Sequence, residues 1–247
     1  MTTSAYSIFE SAGSGKRKFL LPLVDPDKTS DENAARIGRT AEEAGIPAIL
    51  IGGSLLTDGH LDGCIRAIKS RFGGKVLLFP GNTMQLSSVA DGILFLSLIS
   101  GRNPELLIGR HVVAAPYIKN AGLEVVPTGY ILVDGGRQTS VSYMSHTFPV
   151  PHDKPDIAAC TAMAGEMLGL RCIYLDAGSG AAKAVSPEMI RRVADSIEVP
   201  LIVGGGIRTV ADAQAATEAG AGLVVVGNVL EKSPGLLKEI AAAIQHG

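Results

Sequence analysis

The chain lacks a surplus of charge of either sign, has few cysteines and contains no long apolar run, and each shortage closes off a class of protein. Its 22 basic and 24 acidic residues leave a formal net charge of −2, so no basic field exists to recruit nucleic acid or an anionic membrane surface. Only three cysteines occur in 247 residues: Cys64, Cys160 and Cys172. They are odd in number, have no CxxC spacing and lie in apolar sequence, which reads as reduced intracellular thiols filling core space rather than a disulfide framework. No stretch approaches the roughly 18 apolar residues of a membrane span. Lys16, Arg17 and Lys18 precede FLLPLV, but that run is too short for a signal sequence and closes on Asp25. The expected location is the cytoplasm. Internal repeats and low-complexity tracts are also missing.

What the chain does have is punctuation. With 46% hydrophobic and 19% charged residues, it is long and apolar enough to bury a large core. Short apolar runs recur, each closed by polar residues or glycine: FLLPLV, AILIGGS, KVLLFPG, GILFL, EVVPTGYILVD, CIYLDAG, PLIVGGG and LVVVGN. Between most of them lie helix-like stretches such as DENAARIGRTAEEAG, SPEMIRRVADSIE and TVADAQAATEAG, several ending in a glycine suited to a helix C-cap. Continuously apolar strands alternating with helices imply a parallel sheet covered by helices, and eight such units imply closure into an α/β, single-domain (β/α)8 TIM barrel over residues 1–247. Only about ten residues separate Phe79 from Gly92, against the 10–12 or more of a usual crossover, so the third helix is expected to be short or missing. The polar, proline-containing segment from Asp134 to Asp156 reads as a loop. Residues 1–17, with the sequence GSGK, read as a flexible N-terminal tail, because GSGK lacks the upstream glycine and the preceding strand of a P-loop.

In such a barrel the residues just after each strand form the catalytic face. That gives Asp25, Ser54, Asp134, Asp176, Gly204 to Gly206, Gly227 and Asn228 a common address. GGGIRT and GN follow the seventh and eighth strands, where barrels often seat a phosphate under backbone N–H groups, and AGSG follows the sixth. Glycine suits this role because no Cβ blocks the anion.

Taken together, VDPDK, ILIGGS, SGRNPELLIGRH, PTGYILVDGG, YLDAGSGA, LIVGGGIRT and VVVGN resemble the geranylgeranylglyceryl phosphate synthase family, in the branch also found in some bacteria. The similarity runs from about Phe19 to Asn228. The resemblance implies an Mg²⁺-dependent prenyltransferase that joins the C3 hydroxyl of sn-glycerol 1-phosphate to geranylgeranyl diphosphate and releases diphosphate. It implies Mg²⁺ ligation by Asp25 and Ser54. It places the glycerol phosphate on Tyr174, Leu175, Asp176, Ala177, Gly178, Ser179 and Gly180, with Gly205, Gly206, Gly227 and Asn228. It also implies a homo-oligomer, a dimer or a hexamer, and the apolar circumference of Pro104 to Ala121 offers a surface for one.

One departure stands out. The family carries glutamate where this chain has Asp176, the acid expected to take the hydroxyl proton, and the side chain is shorter by one methylene. The backbone advances to compensate, or the acid orients the glycerol without being an obligatory base, or activity is weak or altered. Two other readings therefore stand beside the synthase: the same reaction with a prenyl donor of another length, and a barrel that binds glycerol phosphate without catalysis. Lys28, Arg102 and His111 are within conceivable reach of a diphosphate, and His111 falls in a helical pattern where a surface or packed histidine is the commoner outcome.

Overall fold

The structure is a computed structural model describing residues 4–13, 17–227 and 235–245. Eight parallel strands close a barrel in strict sequence order, and the eighth pairs with the first. They are β1 (Phe19–Val24), β2 (Ala48–Ile51), β3 (Lys75–Leu78), β4 (Gly92–Leu98), β5 (Glu124–Leu132), β6 (Cys172–Asp176), β7 (Leu201–Gly204) and β8 (Leu223–Val226). The helices are α1 (Ala5–Gly13), α2 (Asp31–Glu43), α3 (Leu61–Lys69), α4 (Arg110–Asn120), α5 (Ser140–Ser145), α6 (Pro155–Met167), α7 (Pro187–Ala194), α8 (Val210–Glu218) and α9 (Gly235–Gln245).

Local chemistry fixes where the helices begin. Ser30 and Ser186 accept from the N–H of Asn33 and Met189 and so cap α2 and α7. Thr209 and Asp212 bond each other's backbone reciprocally, forming a capping box on α8. Each arrangement satisfies N–H groups that the first helical turn leaves without an internal partner.

Two apolar layers follow from strand alternation. Residues such as Ile173, Leu175 and Val203 pack outward among the helices. Leu21, Leu50, Leu77, Cys172, Tyr174 and Ile202 fill the barrel interior. No helix spans residues 79 to 91, between β3 and β4, so the short third crossover follows the expectation.

Three expectations are corrected. Residues 5–13 are not a loose tail but helix α1, whose buried Ala5, Ile8, Phe9 and Ala12 repeat at the spacing of one helical stripe and belong to the interior cluster. Glu124, at the start of β5, receives the N–H groups of Ala5 and Tyr6 at 2.7 and 2.9 Å and the Ser4 hydroxyl, so α1 lies over the end of the barrel where β5 begins. Residues 14–16 lie outside the described set. The segment from Asp134 to Asp156 contains α5 and a bridge between Val133 and Val150, and so is a folded excursion. Cys64 and Cys172 are buried, but Cys160 is exposed: α6 turns Ala158, Ala159, Ala162 and Gly165 inward, which leaves Cys160 on its outer side.

Phe9 is fully buried in the interior cluster. Phe9→Ala is expected to lower unfolding stability by about 3–5 kcal/mol, the usual cost of emptying a buried aromatic site, as read by urea denaturation. A variant within experimental error of the parent would return the segment to the status of a tail.

Candidate active site

The strand ends after β1, β2, β6, β7 and β8 surround one cavity of about 390 Å³. Asp25, Ser54, Tyr174, Asp176, Ser179, Gly180, Gly205, Gly206 and Gly227 all line it. Asn228 lies outside the described residues. Leu175 is not brought there, because the period-two alternation of β6 sends its side chain into the outer, helix-facing layer. Ala177 belongs to that same layer. Gly178 acts from behind the wall, through its N–H.

Asp176 ends β6, paired with Leu132 on one side and Gly204 on the other. It is buried. Tyr130 donates its phenolic hydroxyl to Oδ2, and the Gly178 N–H donates to Oδ1 at 2.7 Å. Burial raises the carboxyl above its ordinary value of 3.8, while those two donors pull the other way. Burial likewise pushes the Tyr130 and Tyr174 phenols well above 10, with the Asp176 charge adding to it. The rings of Tyr130 and Tyr174 stand 5.4 Å apart edge to face, and Phe79 lies 5.4 Å from Tyr174. Burial drives both interior thiols, Cys64 and Cys172, to about 12, which removes them as nucleophiles.

The glycines after β6 and β7 are demanded twice. Gly178 and Gly205 have φ of 87° and 77°, a region that side-chain-bearing residues adopt at a cost. A Cβ at Gly205 would stand 2.4 Å from Asp176 Oδ1 and 2.5 Å from the Gly178 nitrogen, so the two loops are pressed together. Arg208 binds them further by donating to the Ala181 carbonyl. The result is a concave run of backbone near a guanidinium, suited to an anion.

Across the mouth, Asp25 caps the short turn Pro26–Lys28 by accepting the Asp27 N–H at 3.1 Å, and it pairs with the Lys28 ammonium. Asp27 in turn accepts from Thr57 N–H at 2.5 Å and Thr57 Oγ1 at 3.0 Å, which ties the loop carrying Ser54 to the loop carrying Asp25. Asp25 and Ser54 therefore face one space. The donors are oxygens only, and Asp25 already attracts a cation. Among the described residues no cluster of three or more His, Cys, Asp or Glu side chains forms. A hard cation that keeps waters and substrate oxygens in its shell fits that sparse oxygen set.

Sequence reasoning missed three parts of this site. Tyr130 sits inside PTGYILVD, where an unbroken apolar run conceals which side chains point inward. Arg208 belongs to GGGIRT, but its glycines drew the attention. The apolar end of the cavity is formed by Leu86, Ile93, Phe95, Leu106, Ala114 and Ile118, where α4 faces β4 beside the short third crossover. His111 is packed, as its helical setting suggested: buried, 4.5 Å from Phe95 edge to face, with Nε2 3.2 Å from Ser97 Oγ. It nevertheless lines the cavity, as does Lys28; Arg102 does not.

With this geometry in view, comparison with known proteins is informative. The sequence profile of the PcrB family matches residues 14–244. Geranylgeranylglyceryl phosphate synthase of Chitinophaga pinensis is 49% identical over 96% of this chain and 94% of its own length. The synthase of Thermococcus gammatolerans is 43% identical over 90% and 88%. The crystal structure of (S)-3-O-geranylgeranylglyceryl phosphate synthase from Thermoplasma acidophilum, in complex with sn-glycerol-1-phosphate, superposes with a TM-score of 0.93 at 33% identity over 100% of both chains.

Gly205→Ala is expected to destabilise the fold by at least about 1–2 kcal/mol, the ordinary cost of a left-handed alanine, with the contact against Asp176 adding to it. Urea denaturation measures this. Parent-like stability would mean that the β6 and β7 loops are not packed as described.

Proposed function

Because the chain belongs to the PcrB family, we propose that it forms the ether bond between the C3 hydroxyl of sn-glycerol 1-phosphate and the C1 carbon of geranylgeranyl diphosphate, releasing diphosphate. The observation that carries this reading is the arrangement of the cavity. A glycine-rich anion cradle and a buried carboxylate occupy one side, an aspartate–serine pair the other, and an apolar groove leads away between β4 and α4. A phosphate, a diphosphate and a prenyl chain each have a wall that suits them.

In this reading the N–H groups of the loops after β6, β7 and β8 hold the glycerol phosphate, with Tyr174, Asp176, Ser179, Gly180, Gly205, Gly206 and Gly227 around it. That fixes the glycerol end by its charge and turns the C3 hydroxyl toward the carboxylate. Asp25 and Ser54 would hold Mg²⁺, which neutralises the leaving diphosphate when bound. Lys28 adds a second cation on the same side. The apolar lining keeps water from a prenyl carbon that develops cationic character, so the hydroxyl held beside it is the nucleophile that reaches it. Asp176, ionised, is the final acceptor for that proton.

We further propose that the whole chain is one barrel domain acting in the cytoplasm as a homo-oligomer. The three unpaired cysteines support an intracellular setting, and among the described residues no helix is long and apolar enough to cross a membrane. Val113 and Tyr117, one turn apart on α4, are 61% and 65% exposed. An apolar face of that kind supports contact with a second copy.

Incubating the protein with Mg²⁺, sn-glycerol 1-phosphate and prenyl diphosphates of several lengths is expected to give the ether-linked prenylglyceryl phosphate by mass spectrometry, most with the geranylgeranyl donor and none after chelation. Greater yield with another donor would reassign chain length. Equal yield without metal would remove the Mg²⁺ assignment. No product with any donor, with glycerol phosphate still bound, would leave a non-catalytic binding barrel.

A further inference from the structure

The acid of this site does not meet the cavity alone. Both carboxylate oxygens of Asp176 are engaged, Oδ1 by the Gly178 N–H and Oδ2 by the Tyr130 hydroxyl. The close approach of Gly205, whose missing Cβ would lie 2.4 Å from Oδ1, covers the first oxygen. The second is reached through the phenol. Tyr130 also lines the cavity, and its ring is fixed by Phe79 at 6.2 Å and Tyr174 at 5.4 Å, so its hydroxyl is held on the carboxylate at the wall of the cavity that Asp176 also lines.

Resting on the synthase reading, we propose that Tyr130 relays the proton of the glycerol C3 hydroxyl to Asp176. As the C3 oxygen bonds to the prenyl C1, the C1–O bond to diphosphate breaks and its electron pair leaves with the diphosphate. The hydroxyl proton passes to Tyr130 Oη while the phenol's own proton passes to Asp176 Oδ2. Tyr130 ends neutral and Asp176 protonated; reverse transfer after product release returns the proton to water. The paired transfer matters because the phenol is strongly disfavoured as an anion in this buried place.

Among the described residues, the ionisable groups acting on Asp176 are Tyr130 on β5 and Tyr174 on β6. Its pKa is raised above 3.8 by burial and restrained by its donors. Removing the Tyr130 donor takes away stabilisation of the ionised form, so the pKa rises further. A rate that needs ionised Asp176 then loses its acid side at higher pH than in the parent.

Tyr130→Phe keeps the ring and deletes the oxygen. The test combines single-turnover rates across pH with ¹³C NMR titration of the Asp176 carboxyl, assigned by Asp176→Asn and read without substrate. The relay predicts a rate loss on the order of 10²-fold, a KM for sn-glycerol 1-phosphate near the parent value, an acidic limb moved to higher pH, and an Asp176 titration moved the same way. A rate within about threefold of the parent overturns the relay even if the titration moves, since the contact would then be structural. A rate loss with an unmoved titration and limb overturns it too. Inactivity of the parent with every donor overturns the synthase reading and the relay with it, and the parent control separates that failure from the others.

Discussion

The site depends on a carboxylate kept in one place at the end of β6. Asp176 is buried and held by one phenol and one backbone N–H. An isolated buried charge would be costly; these two donors are what make it tolerable. Their demand spreads outward. The Gly178 N–H points at the carboxylate because Gly178 takes a positive φ, and Gly205 must lack a side chain because the next loop lies against the same oxygen. The glycine cradle that suits a phosphate is thus also the packing solution to burying an acid.

In the proposed reading, that coupling is why binding and chemistry share residues. The loops after β6 and β7 cannot shift to admit a larger side chain without moving Asp176, and Asp176 cannot move without losing Tyr130. The barrel supplies the rigidity: Tyr130, Tyr174 and Asp176 stand on adjacent strands in fixed register. The Asp25–Ser54 side, proposed to hold the metal, is built on turns tied together by Asp27 and Thr57. This division suits a reaction in which the small phosphate must be oriented closely while a long apolar donor enters from the side.

Much of this was legible in the sequence. Parallel strands buried on both faces leave uninterrupted apolar runs, so all eight could be read, and an acid or glycine closing such a run marks the catalytic face. The same continuity hid the rest. Inside EVVPTGYILVD or CIYLDAG nothing distinguishes inward from outward residues, so the sequence hides Tyr130 and makes Leu175 look like its neighbours, although strand register separates them. Helix α1 had a readable stripe at Ala5, Ile8, Phe9 and Ala12, overshadowed by the glycine–serine segment after it. The apolar groove was not legible residue by residue, because it is assembled from β4, α4 and the segment before β4, which lie apart in the sequence. The family resemblance supplied the reaction and the Asp25–Ser54 pairing, which spacing alone would not have joined.

The central claim, that the glycine loops around Asp176 form the glycerol phosphate site, is tested most directly by backbone amide NMR during titration with sn-glycerol 1-phosphate. The account predicts the largest shifts at Gly178, Ser179, Gly180, Gly205 and Gly206, with Tyr174 and Asp176 following. Saturable shifts elsewhere, with these amides unmoved, would contradict it.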